Sequence, residues 1–295
     1  MSILVDKKTK VLIQGITGKQ GALATKEMLD YGTKVLCGVT PGKGNQEIHN
    51  IPVYNTIKEA LAEHNDVNTT IISVPPFNAK DATFEAISNE IPLINLITEQ
   101  IPIHDTAKIL AYAKEKNVRI VGPASIGIIS PGKSKIGYIG GSTNRSFMPG
   151  NVGIISKSGG MCSEISLILK QHNLGQSTVI GIGGDVLLGT DFVDALKLFQ
   201  DDEETKAIVL YGEIGGTYEE DAAQYIIETN YKKPVIAFIS GKFTSMFPNI
   251  TLGHAGAIIE GNKGTRDNKI KELKKAGVII ADIPYDIGNL VKEVL

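Results

Sequence analysis

Short apolar runs, each followed by a stretch with helical spacing, succeed one another along the chain in two series. Val11-Leu12-Ile13 ends at Gly15-Ile16-Thr17-Gly18-Lys19-Gln20-Gly21 and leads into a helical pattern over 22–31. That order predicts strand, glycine-rich turn and helix. Apolar runs at 35–39, 70–74, 93–97 and 119–121 repeat the strand pattern, with helices predicted over 57–64, 79–88 and 105–116. Continuous apolar runs suit strands buried on both faces, so the pattern predicts an α/β fold built on a parallel sheet covered by helices. The glycine-rich stretch 132–150 breaks the rhythm and places a domain boundary there, with one domain over 1–145 and a second over 146–295. The second series opens at Val152-Gly153-Ile154-Ile155. Its further strands are predicted at 178–182, 207–211, 235–239 and 278–281, and its helices at 161–171, 191–199, 219–228 and 269–276.

Composition narrows the function classes. A chain of 295 residues with 42% apolar content can bury two cores. Its formal net charge of −2 offers no field for nucleic acid or an anionic membrane, so a small anion must be met by local groups. Cys37 and Cys162 form no disulfide framework, lack metal-ligand spacing and fit a reducing cytoplasm. Charge at Asp6-Lys7-Lys8 comes too early for a signal peptide, and no apolar run approaches a membrane span. The expectation is a cytoplasmic protein with no metal site of its own.

Candidate chemistry gathers at predicted strand ends. In open parallel sheets ligands bind beyond the carboxyl ends of the strands, where the 15–21 loop, Thr40-Pro41-Gly42-Lys43-Gly44, Pro75-Pro76 and Thr98-Glu99 all fall. The G-x-x-G-x-x-G spacing lets backbone approach a pyrophosphate at a helix start, without being the dinucleotide fingerprint. An NAD site usually carries an acidic residue after its second strand; Lys43 stands there instead and suits a phosphorylated ribose, as in coenzyme A or NADP. In the second series, Ser156-Lys157-Ser158-Gly159-Gly160-Met161 passes from strand to helix and presents backbone amides to an anion. Glu213, in Tyr211-Gly212-Glu213-Ile214-Gly215-Gly216, is placed to fix the tautomer of a histidine. That histidine is His254, set in Leu252-Gly253-His254-Ala255-Gly256-Ala257 with small neighbours and no other ionisable group within five residues. A neutral imidazole so open is a competent nucleophile near pH 7.

Taken in order, Thr17-Gly18-Lys19-Gln20-Gly21, Val39-Thr40-Pro41-Gly42-Lys43-Gly44, Gly181-Ile182-Gly183-Gly184-Asp185, Gly212-Glu213-Ile214-Gly215-Gly216 and Gly253-His254-Ala255-Gly256-Ala257 resemble the α subunit of succinyl-CoA synthetase from end to end. The resemblance implies two Rossmann-like domains, an N-terminal CoA-binding domain and a C-terminal flavodoxin-like ligase domain that carries the active-site histidine. It implies His254 as the phosphorylated histidine and Glu213 as the glutamate beside it. Thr17, Gly18, Lys19, Gln20, Lys43, Ile97, Thr98 and Glu99 match CoA-contacting positions, and Ser158, Gly159 and Gly160 match the phosphate-binding helix start. It further implies an acid–CoA ligase working through acyl phosphate, and an ATP-grasp β subunit that binds ATP or GTP with Mg, giving αβ or (αβ)2. No P-loop appears in this chain, so it is expected to be incomplete alone.

Departures from the succinate pattern cluster in two loops. Gly122-Pro123-Ala124-Ser125-Ile126-Gly127 stands where the family reads Gly-Pro-Asn-Cys-Pro-Gly, and Ser158-Gly159-Gly160-Met161-Cys162-Ser163-Glu164 where it reads Ser-Gly-Thr-Leu-Thr-Tyr-Glu. With Gly140-Gly141 and Thr244-Ser245-Met246-Phe247 they resemble ATP-citrate lyase and citryl-CoA synthetase, without room for the cleaving domain of the former. Ser163 in place of tyrosine and Gly160 in place of threonine open space for a larger acid, which points to citrate. The alternatives are succinate and, in another class, a non-catalytic CoA- or NADP-binding regulatory or redox protein.

Overall fold

The computed structural model describes residues 2–141, 145–242 and 264–295. His254 and the 244–247 motif lie outside the described residues. The first sheet is built from β1 (Lys10–Gln14), β2 (Lys34–Val39), β3 (Glu47–Ile48), β4 (Ile51–Tyr54), β5 (Thr69–Ile72), β6 (Leu93–Leu96) and β7 (Arg119–Val121), in spatial order β3-β4-β2-β1-β5-β6-β7. All neighbours are parallel except the β3–β4 hairpin. That hairpin turns on His49 and Asn50, both at positive φ (52° and 64°), the twist a two-residue loop needs. Helices α1 (Lys19–Tyr31), α2 (Ile57–Glu63), α3 (Ala79–Ser88) and α4 (Ile103–Glu115) connect the strands. Without β3 the order is that of a Rossmann sheet, with its topological switch between β1 and β5.

The second sheet takes β8 (Gly127–Ser130), β9 (Ser134–Gly137), β10 (Pro149–Ser156), β11 (Gln176–Gly181), β12 (Ala207–Gly212), β13 (Val235–Ile239) and β14 (Ile279–Ile280), ordered β14-β13-β12-β10-β11-β8-β9. Helices α5 (Gly159–Gln171), α6 (Phe192–Gln200), α7 (Tyr218–Thr229), α8 (Arg266–Lys275) and α9 (Asp286–Val294) accompany it. Its parallel part has the flavodoxin-like order, switching direction at β10 between β11 and β12.

One hairpin that precedes residue 145 joins the second sheet. The β8–β9 hairpin already belongs to the second sheet, pairing antiparallel with β11 through Ile128↔Ile180 and Gly127↔Gly181. A turn closed by Lys133 N–H donating to the Ser130 carbonyl (2.9 Å) folds it. Its four-residue strands are buried on both faces, so they lack the alternation that marks a half-exposed strand.

The two sheets share apolar packing. Val11, Ile13 and Met28 of the first and Ile128, Ile136 and Ile180 of the second lie in one buried cluster. Polar groups are paired across this junction: Thr33 Oγ1 donates to the Lys135 carbonyl (2.7 Å), and the buried Lys135 ammonium lies 3.3 Å from Glu27 and donates to the Gly141 carbonyl (2.7 Å). Burial lowers the Lys135 pKa, and Glu27 opposes that shift. No helix among the described residues is long and apolar enough to cross a membrane.

Candidate functional site

The turn after β1 closes tightly on itself. Gly15 sits at φ 82°, and a Cβ there would come 2.3 Å from the Ser73 carbonyl oxygen; at Gly21 it would come 2.2 Å from the Gly15 oxygen. Only glycine allows such backbone approach, and the result is a helix start open to a ligand. Gly18 caps α1 with no side-chain hydrogen bond, so first-turn amides keep their donors for an anion. Thr17 Oγ1 donates to Thr40 Oγ1 (3.2 Å), tying this turn to the loop after β2. In that loop Asn55 Oδ1 accepts from Gly42 N–H and Gly44 N–H (both 3.0 Å), and Lys43 between them is exposed.

A cleft of about 640 Å³ opens at the first switch point. Gly18, Lys19 and Gln20 line it from β1, Ser73 to Pro76 from β5, and Ile97, Thr98 and Glu99 from β6. Thr98 Oγ1 donates to the Val74 carbonyl (2.9 Å), which holds two of these strand ends together. Its remaining lining comes from the 124–126 connection that leads into β8, from Tyr138 after β9, and from Lys157 and Gly159 after β10. The two switch points therefore face one another across a single cleft. Tyr138 OH and Ser73 Oγ span it at 3.1 Å, and burial raises the Tyr138 pKa.

At the second switch point Ser158 caps α5, its hydroxyl accepting from Met161 N–H at 3.5 Å. The Gly159 and Gly160 amides ahead of it are first-turn donors without intrahelical acceptors. Glu213, at the end of neighbouring β12, is buried, and its Oε1 lies 3.4 Å from the Lys157 ammonium. Its backbone N–H donates to Glu219 Oε1 (3.0 Å).

Of the expected CoA-contacting residues, the structure brings Gly18, Lys19, Gln20, Ile97, Thr98 and Glu99 to the cleft, together with Gly159. Thr17 stands one hydrogen bond away in the second loop's company, and Lys43 lies outside the cleft wall. Ser158, Gly160 and Ser163 are not in that wall either. A Cβ at Gly160 would meet only Ser158 Oγ, at 4.0 Å, so packing does not require glycine there. Reasoning from sequence missed Lys157 and Tyr138. Lys157 follows an apolar strand directly, but only the fold shows that it is 2% exposed.

The two cysteines take no part in this geometry. Burial pushes both thiols up to about 12. Iodoacetamide at pH 7 is therefore expected to leave Cys37 and Cys162 of the native chain unmodified, while the urea-unfolded chain takes two adducts by intact mass. A stoichiometric adduct on the native protein would contradict this.

Comparison with known proteins gives the family. The CoA binding domain family matches residues 6–100 and the CoA-ligase family residues 155–279. ADP-forming succinate–CoA ligase subunit alpha 2 of Archaeoglobus fulgidus is 49% identical over 295 residues, covering 100% of both chains. The corresponding alpha subunit of Staphylococcus epidermidis is 46% identical, covering 98% of this chain and 93% of its own. Among solved structures, ATP citrate lyase from Methanothrix soehngenii, in complex with citrate and coenzyme A, superposes with a TM-score of 0.92 at 26% identity over 99% of this chain. This chain spans 50% of that lyase chain. With both domain families matched in order and whole-length relatives near half identity, the chain is a CoA ligase that belongs to the succinyl-CoA synthetase α-subunit family.

Proposed function

We propose that this chain is the α subunit of an ADP-forming succinate–CoA ligase, carrying the CoA site and the phosphorylated histidine and pairing with an ATP-grasp β subunit that binds ATP and Mg. The observation that carries the reading is the single cleft in which the first domain's helix start meets Lys157 and Gly159 beside Glu213. In the cycle, ATP phosphorylates His254 and leaves as ADP. A succinate carboxylate takes the phosphoryl group to give succinyl phosphate. The CoA thiol then attacks the acyl carbon: the C–S bond forms, the C–O bond breaks, and phosphate leaves with the electron pair and the thiol proton. Splitting the ligation this way keeps each barrier low.

Within that cycle Glu213 accepts a hydrogen bond from one ring nitrogen of His254 and frees the other to attack. The amides of Gly159 and Gly160, with Ser158 at the cap, receive the phosphoryl group. Thr17, Gly18, Lys19, Gln20 and 97–99 hold CoA along the cleft, and Lys43 meets its ribose phosphate from the rim.

Succinate replaces citrate as the favoured acid. The relatives that match the whole chain at 45–49% identity are named for succinate, whereas the citrate-bound neighbour is 26% identical and twice as long. Of the two positions that suggested citrate, Ser163 is not in the cleft wall. Family membership likewise displaces the regulatory or redox alternative. The test is kcat/KM for succinate, citrate and malate with the reconstituted α–β enzyme. Succinate is expected to be highest; a higher value for citrate would restore the citrate reading.

A further inference from the structure

Lys157 is 2% exposed, yet among the described residues its ammonium makes no hydrogen bond to a protein acceptor. Its contacts are one long ion pair, 3.4 Å from Glu213 Oε1, and the face of Tyr218, whose ring centroid is 5.6 Å away. A buried ammonium carries three donors and is costly to leave with so little compensation. The residue also lines the cleft beside Gly159, at the start of α5 where first-turn amides are free to donate. Uncommitted donors on a buried cation and an open helix start therefore meet in the cleft wall.

We propose that Lys157 is the charged member of the phosphate site in this subunit: it binds the dianionic phosphoryl or phosphate group jointly with the Gly159 and Gly160 amides, and shields that group from Glu213. The proposal rests on the ligase reading and adds a residue to it. Without a cation between them, a phosphate and the Glu213 carboxylate in one buried corner would repel each other, and the glutamate could not work beside the transferring group. Lys157 already lies against Glu213, and binding the phosphate as well removes that conflict. A lysine presents this charge as a point, so an arginine of similar reach should serve in its place.

Isothermal titration of the assembled α–β protein with inorganic phosphate tests this without turnover. Lys157→Met is expected to weaken phosphate binding by about tenfold or more, and Lys157→Arg to recover it to within about threefold. Because Lys157→Met leaves Glu213 buried without its cation, the doubly neutral Lys157→Met/Glu213→Gln variant is measured alongside and is expected to lose phosphate binding as well. In the acyl-CoA-cleaving direction, KM for phosphate should rise in Lys157→Met more than KM for the acyl-CoA. Wild-type phosphate affinity in either folded neutral variant would overturn the proposal and leave the ligase reading intact. Phosphate binding that depends on Lys157 in an assembly with no ligase activity would instead overturn the ligase reading and leave this site standing.

Discussion

Asparagine in place of His254 is expected to abolish ATP-dependent phosphorylation of this chain and, with it, acyl-CoA formation, a loss of at least about a thousandfold for removal of a nucleophile. The described residues on either side of the 243–263 segment support the expectation. Ser240 N–H donates to the Gly212 carbonyl (3.0 Å), Gly215 N–H donates to the Gly264 carbonyl (2.7 Å), and Gly264 N–H donates to Glu220 Oε1 (3.1 Å). Both flanks of the segment that carries His254 are thus bonded to the loop that carries Glu213 or to the helix behind it. Incubation with the β subunit and γ-labelled ATP should give acid-labile, base-stable label on the wild-type chain and none on His254→Asn. Label that persists in the variant would remove His254 from the mechanism.

The second large effect is structural. Lys269 is fully buried, donates to the Gly215 carbonyl (2.7 Å), pairs with Glu219 and lies 4.0 Å from Glu220. Glu219 in turn accepts from the backbone of Glu213. This lysine therefore braces the loop that holds Glu213. Lys269→Met leaves buried carboxylate without its cation, and breaking a buried pair from one side costs about 3–5 kcal/mol, which should lower Tm by roughly 6–20 °C. Lys269→Met/Glu219→Gln removes both charges of the pair and should recover part of the loss. Thermal melts of the two variants decide it, and a single variant within about 1 kcal/mol of wild type would show that the pair does not brace the loop.

Much of the architecture was legible in the order of residues. Apolar runs at strand spacing and glycine turns before helices announced β1, β2, β5, β6, β7 and β10 to β14, because a strand covered on both faces is mostly apolar. Helix starts were harder. The helix predicted from residue 22 begins at Lys19, and that predicted from 105 begins at Ile103, since first-turn residues are set by backbone dihedrals and need not be apolar. The β3–β4 hairpin, the β8–β9 hairpin and α9 escaped notice: the strands of both hairpins are short, and nothing in local spacing says which sheet a four-residue strand will join.

For the site the division is sharper. Motif spacing singled out the turn at 15–21, where close backbone approach demands glycine in the sequence itself, and strand-end placement singled out Thr98-Glu99, Glu213 and the α5 start as candidates. The strand order that sets two switch points face to face across one cleft came only with the tertiary structure, as did the identity of the lysines that matter. Lys135, Lys157 and Lys269 look in sequence like any other lysine. Each is buried because acceptors or carboxylates far along the chain are folded against it, Glu27 for the first, Glu213 for the second, Glu219 for the third. A charge can be held out of water only by partners that the fold brings to it, and that pairing is written in no local pattern.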